Sequence, residues 1–307
     1  MASSEPYESM IQELTFDHAG KIVDGRLGRG SFKKLKLCDD GGKYNNFALL
    51  ISDQCPWGFT LLSNHYGELY RSRGSILKQI DEIMRIVDTI NPRLRMKGRT
   101  GFIRRFPRGA VEEGVLNAAI HFDISQMRDI IIDVNNERLV IISPGGMIDP
   151  IKWNAKTTTC PRNQQLAELL MNMGRVNLKL YGMRSIKDSY QRTGQMPLMK
   201  YRKDLFMTFC PSVAEEMRKP EVLDRKISDI LSKHPGTTLA RLSEHMLLSP
   251  TVALRAVTRL ESEDIVFEMG ASNSRRFYLN AVKKPIQTPY DDRKRTDDGN
   301  SDIDEDK

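Results

Sequence analysis

The chain has 307 residues, of which 39% are hydrophobic and 28% charged, and this length suffices for two domains that each bury a core. No run of 18 apolar residues exists, which excludes a membrane-spanning helix, and the N-terminus lacks the basic and apolar segments of a secretory signal. The four cysteines never approach CxxC spacing, and the five histidines form no metal-binding pair. We therefore expect an intracellular protein, in a cytoplasm, nucleoid or nucleus, with no metal and no cofactor.

The net charge of +7 is distributed unevenly along the chain. Residues 221–280 hold eight Lys or Arg and eight Asp or Glu, and residues 282–307 are acidic on balance. The positive excess is densest in residues 93–108, which hold seven Lys or Arg and no acid. A basic surface of this kind favours a polyanionic partner.

The N-terminal part shows a mixture of strand-like and helical patterns. We predict an arm at residues 1–15, an α+β domain of unknown function at 16–210 and a linker at 211–220. Alternation and short apolar runs predict strands, whereas spacings of three, four and seven predict helices. In chain order the predicted elements are strands at 33–37 and 47–51, a helix at 67–90 that ends before Pro92, strands at 115–120, 130–134 and 139–142 with a turn at Asn135 and Asn136, and a helix at 163–173.

Residues 27–32, followed by residues 47–50, resemble the Gly-rich loop and third strand of protein kinases. A kinase carries a lysine where this chain has Leu50 and a metal-binding aspartate where it has Ser143. The resemblance therefore does not imply phosphoryl transfer, and it leaves a degenerate, kinase-like nucleotide-binding fold as one alternative.

Metal-dependent nuclease chemistry is a second alternative for the N-terminal part. Asp123, Asp133 and Glu137 lie on or beside predicted strands, where their carboxylates could converge on a metal ion. Glu137, however, follows two asparagines in a pattern typical of a solvated turn. We therefore favour structural roles for the three acids and do not expect an enzyme.

Residues 221–281 are predicted to form three helices followed by a two-stranded hairpin. Apolar residues between 222 and 231 share one helical face, and Thr237 or Thr238 can cap a second helix. Ser249 and Pro250 are typical of a helix start, because proline at the first helical position loses no hydrogen bond. Strands are predicted at 265–267 and 276–279.

This module resembles the MarR-like and ArsR-like winged-helix regulators of bacteria and archaea, over residues 242–266 most closely. The resemblance implies that the third helix enters the major groove and that the hairpin, or wing, contacts phosphates or the minor groove. Two positions depart from the pattern. These regulators usually carry a polar residue where this chain has Leu254, and a glycine where it has Asp264. The resemblance assigns DNA contact to five residues: Thr251, Val252, Arg255, Arg275 and Arg276.

The basic stretch at 93–108 is predicted to add affinity for nucleic acid. Its cations would neutralise phosphates while two aromatic rings stack on exposed bases. The alternative is a solvated hairpin whose cations pair with acids elsewhere. The predicted contacts are Arg93, Arg95, Lys97, Arg99, Arg104, Arg105 and Arg108, together with the rings of Phe102 and Phe106.

The predicted architecture is therefore an α+β protein: a domain with a mixed or antiparallel sheet, a C-terminal winged helix-turn-helix and a disordered acidic tail at residues 282–307. We expect a partner that is duplex DNA and a function as a transcriptional regulator or as a replication or maintenance factor of a plasmid or virus. An adaptor whose winged helix docks on a protein partner is a further alternative. Protein partners, including a second copy of the chain, are left open.

Overall fold

A six-stranded mixed sheet forms the centre of the N-terminal part. The computed structural model describes residues 7–63, 67–95, 101–146, 161–176, 182–191, 193–271 and 274–280. The strands of this part are β1 (Phe59–Ser63), β2 (Gly67–Arg71), β3 (Arg93–Arg95), β4 (Phe102–Arg104), β5 (Ile130–Val134), β6 (Arg138–Pro144), β7 (Leu198–Tyr201) and β8 (Leu205–Pro211). The sheet has the order β2-β1-β5-β6-β8-β7, and β3 and β4 form a separate hairpin.

One pair of strands in the sheet is parallel. Strand β1 pairs in parallel with β5, with Phe59 opposite Ile130, and the other neighbours are antiparallel. Along β5 the buried side chains of Ile130, Ile132 and Val134 alternate with partly exposed ones, so one face of the strand supplies the core. The α+β class and the mixed sheet predicted from the sequence are confirmed.

Helices cover the sheet and complete the core. They are α1 (Asp17–Leu27), α2 (Asn46–Ile51), α3 (Ile76–Ile90), α4 (Arg108–His121), α5 (Gln164–Asn172) and α6 (Gly182–Ser189). Helix α3 is amphipathic, with Ile80, Ile83 and Val87 buried on one face. No helix in the described ranges is long and apolar enough to cross a membrane.

The strands predicted between residues 14 and 53 are wrong. Residues 47–51 belong to α2, whose first turn is capped by the Asn45 side chain, because Asn45 Oδ1 accepts a hydrogen bond from Ala48 N at 2.9 Å. Residues 47–51 are all buried, so polar and apolar residues do not alternate along the run. A buried strand and a buried helix therefore cannot be told apart from its sequence. The residues predicted as a strand at 33–37 begin within a short 3-10 turn, Phe32–Lys34.

Two further element predictions are corrected in the same way. Residues 115–120 form the second half of α4 rather than a strand, and most side chains of this helix are buried on several sides, which hides its period. The helix predicted from residue 67 starts only at Ile76. Residues 67–71 form β2 instead, since pairing with β1 overrides the local pattern.

The glycines of the kinase-like segment do not lie between strands. Gly28 and Gly30 directly follow α1 and precede a 3-10 turn, and residues 47–50 are helical. A kinase Gly-rich loop joins two strands of one sheet, so the resemblance is coincidental.

Strands β5 and β6, the turn between them and helix α5 lie where the sequence predicts them. The turn is an Asx turn in which Asn135 Oδ1 accepts from the backbone N–H groups of Glu137 and Arg138. Just before α5, Arg162 and Asn163 donate to carbonyls at the C-terminal end of α4, including His121 O at 3.2 Å. These buried side chains bind carbonyl groups that the helix itself leaves without partners.

The C-terminal part folds around its own core. Its elements are α7 (Pro220–Lys233), α8 (Leu239–Met246), α9 (Pro250–Ser262), β9 (Val266–Met269) and β10 (Arg276–Leu279). Leu223, Leu242, Val257, Leu260 and Phe277 are among the buried side chains of this core. Three helices and a two-stranded hairpin follow in the predicted order.

Cysteines 38, 55 and 210 are free thiols, of which the last two are buried. Burial raises the pKa of both buried thiols to about 12, so they are inert at neutral pH. Cys160 and the predicted tail at 282–307 lie outside the described residues. Of the predicted arm, residues 8 and 9 pair with residues 44 and 45, and the domain boundaries stay predictions.

Candidate nucleic-acid interface

Local sequence fixes the helix-turn-helix geometry of α8 and α9. The Thr238 hydroxyl accepts from Arg241 N at 3.4 Å and caps α8. Leu247 ends α8 in the left-handed conformation, with φ of 55°, and Leu248 N then donates to Ser243 O at 3.0 Å. Pro250 occupies the first turn of α9, as its fixed φ favours.

Helix α9 has a buried face and an exposed face. Ala253, Val257 and Leu260 are fully buried, and Val257 and Leu260 belong to the core of the winged helix. Thr251 and Arg255 lie on the opposite, exposed face. The described part of the chain offers the Arg255 guanidinium no hydrogen-bond or ion-pair partner, so its donors are available to a ligand.

The N-terminal end of α9 is docked against the N-terminal domain. Residues 193–196, which we call the strap, run beside the turn between α8 and α9. Ser249 N donates to Gly194 O at 3.0 Å, and Met196 N donates to Leu247 O at 2.9 Å. Val252 is half-buried because it packs on the winged-helix core and faces Gly194. It therefore offers less surface than Thr251.

The wing presents arginines that are already partly engaged. Arg275 Nη1 lies 3.2 Å from Glu268 Oε2 across the hairpin, and Arg276 Nη1 donates to Gly236 O at 3.1 Å. Both side chains stay exposed at the surface. Asp264, at the position where the resembling regulators carry glycine, has φ of 56°, which aspartate tolerates better than most residues.

The basic stretch forms the hairpin of β3 and β4, with two distinct faces. Leu94 pairs with Ile103, and both pack against the core. Arg95 pairs with Phe102 on the other face, and the Phe102 ring is 71% exposed. Arg93 shares that exposed face, since residues two apart on a strand point the same way. The hairpin therefore exposes cations beside an aromatic ring.

Three arginines of the stretch have structural partners. Arg104 Nη1 donates to Asp88 O and Asn91 O, and Arg108 forms ion pairs with Asp88 and Glu112 at 3.1 and 2.6 Å. Arg105 Nη1 donates to Asn136 Oδ1 at 2.8 Å. Lys97 and Arg99 lie outside the described residues.

Phe106 is not available for stacking on a base. Its ring is only 1% exposed and belongs to the core of the N-terminal domain. The Asn91 side chain brackets its backbone, because it accepts from Phe106 N at 2.9 Å and donates to Phe106 O at 2.7 Å. Phe106 therefore anchors the end of the hairpin, and the predicted stacking role is corrected.

The turn between β5 and β6 joins the hairpin to the winged helix. Asn136 in this turn binds Arg105, and the next residue, Glu137, forms an ion pair with Lys226 of α7 at 2.9 Å. The hairpin and the winged helix thus flank one turn. In the described ranges, no group of three or more Asp, Glu, His or Cys side chains could hold a metal ion. Of the three acids considered for a metal site, Glu137 forms the ion pair with Lys226 instead.

A partly buried carboxylate lies on α4. Glu113 Oε1 accepts from Asn117 Nδ2 at 3.2 Å, one turn further along the helix. The start of α6 covers the pair so closely that Gly182 has no room for a side chain. Burial raises the pKa of Glu113 above its ordinary value. The spacing of the two residues by one helical turn was hidden because Asn117 lies in residues 115–120, which were predicted to form a strand.

Comparison with known proteins identifies the kind of module that the C-terminal part forms. A family described as winged helix-turn-helix DNA-binding matches residues 221–266. The C-terminal module is a winged helix-turn-helix DNA-binding domain. The match ends at the first residue of β9, so it covers the three helices and Thr251, Val252 and Arg255, while the wing arginines lie beyond it.

Two other comparisons concern the N-terminal part. A family described as putative ATP-dependent DNA helicase recG C-terminal matches residues 128–209, from just before β5 into β8. The fold is also similar to the crystal structure of the DIP2311 protein from Corynebacterium diphtheriae, with a TM-score of 0.52 and 15% sequence identity over 91% of this chain and 70% of that one. At this identity the similarity concerns the fold alone. No curated protein sequence matches the chain.

Proposed function

We propose that the protein binds duplex DNA sequence-selectively, as a transcriptional regulator or as a replication or maintenance factor of a plasmid or virus. Thr251 and Arg255 of α9 contact base edges, with Val252 beside them, and Arg275 and Arg276 of the wing contact phosphates. The single observation that carries the proposal is the exposed face of α9, which bears an arginine without a partner in the described chain.

The hairpin of β3 and β4 supplies a second, non-specific contact. Because the winged helix has no net charge, as counted over residues 221–280, its own attraction to phosphates is weak. Arg93 and Arg95 add two exposed cations, and Phe102 adds a ring for an unstacked base. Lys97 and Arg99, between the two strands, extend this proposed set.

Selection of binding sites from a random duplex library, followed by substitution of Arg255, tests the proposal. Arg255→Ala should weaken binding to the selected site by about 1–3 kcal/mol and relax its sequence preference at one position. Arg225→Ala, on the exposed face of α7, is the matched control because it removes the same charge from the same module. Equal losses for the two variants on selected and random duplexes would contradict base contact by Arg255.

A second candidate function is nucleotide binding by the N-terminal domain, as part of a nucleic-acid-processing activity. The match of residues 128–209 to a family named after an ATP-dependent helicase supports it, because that name describes proteins that use ATP. Glu113 of α4, which lies outside the matched residues, is a candidate general base for this activity, since burial raises the pKa of its carboxyl group.

Addition of ATP with magnesium to the full chain tests this second candidate. A bound nucleotide raises the unfolding temperature in a concentration-dependent way. If Glu113 acts as a base, Glu113→Gln should abolish phosphate release while it preserves the thermal shift, and Glu112→Gln should preserve both. An unfolding temperature that does not respond to millimolar ATP would rule out this candidate without affecting the DNA-binding proposal.

A further inference from the structure

The segment that contains α1 and the 3-10 turn after it carries cations that the functions proposed above do not use. Between residues 21 and 36 the chain has six Lys or Arg residues and one acid, Asp24. All six cationic residues are exposed, and none has an ion-pair partner in the described part of the chain. We call these residues the α1 basic surface: Lys21, Arg26, Arg29, Lys33, Lys34 and Lys36.

The single acid of the segment binds backbone amides. Asp24 Oδ1 accepts from Phe32 N at 2.8 Å, and Asp24 Oδ2 accepts from Gly30 N at 3.1 Å. These two hydrogen bonds lower the pKa of Asp24, with a smaller effect from the nearby Lys33. The carboxylate therefore stays charged and is occupied within the loop. Six cations and one carboxylate leave a net charge of +5 on this segment.

The backbone that carries these cations is fixed before any ligand binds. Leu27, Phe32 and Leu35 pack against the core of the N-terminal domain. The Phe32 ring lies 5.4 Å from the Phe16 ring, measured between centroids, and Ser31 Oγ donates to Leu27 O at 3.1 Å. Because the loop is already ordered, a ligand that binds the cations does not have to order the backbone as well.

The spacing of the cations suits a row of phosphates. Leu35 has φ of −73° and ψ of 140°, an extended conformation, so Lys34 and Lys36 lie on the same side of the chain, about 7 Å apart. Lys21 and Arg26 are also about 7–8 Å apart along the axis of α1. Positive charges at such separations neutralise successive anions of a polyanion rather than enclose one small anion.

A membrane surface fits these cations less well than nucleic acid does. The apolar side chains of the segment are partly or fully buried, so none is exposed for insertion between lipids. The same chain carries a winged helix-turn-helix DNA-binding domain, which has no net charge over residues 221–280 and gains little from phosphates by itself. A separate cationic surface supplies the attraction that this domain lacks.

We propose that the α1 basic surface binds the phosphate backbone of duplex DNA without sequence preference. It adds a contact region that includes neither the winged helix nor the hairpin of β3 and β4. The choice of nucleic acid as the partner rests on the DNA-binding function proposed above. A duplex presents more phosphates per unit length than a single strand, and no exposed ring lies among the six cations to stack on an unpaired base.

Joint alanine replacement of Lys33, Lys34 and Lys36 tests the proposal on the full chain. Fluorescence anisotropy with a duplex of random sequence, at salt concentrations between about 50 and 200 mM, gives the slope of log affinity against log salt concentration. The replacement should reduce this slope by about two to three and the affinity at least tenfold, because three phosphate contacts are lost. The unfolding temperature should not change, since all three positions are exposed.

The matched control is the joint alanine replacement of Lys187, Arg202 and Lys203, which removes the same charge from exposed positions of the N-terminal part. Asp188 and Asp204 follow these cations in the sequence, so the control charges are partly offset. The control should change the slope by less than about one. No change for the α1 variant, or equal changes for the two variants, would overturn the proposal.

Two further measurements separate this surface from the other proposals. The α1 variant should weaken binding to a selected duplex and to a random duplex by the same factor, whereas Arg255→Ala should alter the ratio between them. A loss for the α1 variant when no duplex is selected would support this surface and contradict sequence-selective binding. A sequence preference that persists without any loss for the α1 variant would contradict this surface alone. Lost binding to phosphatidylserine vesicles, with duplex binding intact, would overturn the proposal in favour of a membrane contact.

Discussion

Substitution of Gly194 tests whether the strap holds the winged helix in its docked position. Gly194 has φ of 81°, and an added Cβ would lie 3.3 Å from Val252 Cγ2. The left-handed conformation costs a residue with a Cβ about 1–2 kcal/mol, and the close approach to Val252 adds to this. Gly194→Ala should therefore make the undocked form about 5–30 times more populated.

Hydrogen exchange of single amides measures that population. Met196 N and Ser249 N each donate across the interface, so both exchange only when the strap separates from the winged helix. In Gly194→Ala their exchange should accelerate by the same factor, while amides within α9 stay protected. The matched control is Gly20→Ala, a helical position with open space around it, which should stabilise the protein by about 0.5–1 kcal/mol. Unchanged exchange of Met196 and Ser249 in Gly194→Ala would refute the docking argument.

Three other variants have defined outcomes. Joint replacement of Arg93 and Arg95 by alanine should reduce the slope of log affinity against log salt concentration by about two, as measured by fluorescence anisotropy. Arg225→Ala should reduce that slope by no more than about one. Leu260→Ala, at a fully buried position, should destabilise the winged helix by roughly 2–5 kcal/mol in a denaturant titration. Burial lowers the pKa of His121 to about 4, so the folded state binds fewer protons than the unfolded state. The free energy of unfolding should therefore be independent of His121 above about pH 6.5 and fall by at most about 3 kcal/mol between there and pH 4. His121→Gln should lack this decrease.

The winged helix was predictable because its signals are local. The cap at Thr238, the proline at position 250 and the spacing of Val257 and Leu260 each lie within one turn of the element that they specify. Helices α2 and α4 were not predictable in this way. They are buried on several sides, and an apolar segment surrounded by protein has no exposed face to reveal its period.

The candidate contacts divide along the same line. The exposure of Arg255 follows from helical spacing within α9. The role of each arginine in the basic stretch depends on partners outside that stretch. The carboxylates of Asp88 and Glu112 bind Arg108, and the amide oxygen of Asn136 binds Arg105. The contacts of the strap with the winged helix form only where two domains meet, and no local sequence pattern specifies that contact.

The hydrogen bond between Ser249 N and Gly194 O limits what α9 can do while it is docked. The backbone amides at the start of a helix are well placed to donate to a DNA phosphate. One hydrogen cannot serve a carbonyl and a phosphate at full strength together. A duplex that approaches the N-terminal end of α9 must therefore bind without this donor or compete with the strap for it. Binding of Ser249 N by the Gly194 carbonyl and its binding by a phosphate thus weaken each other.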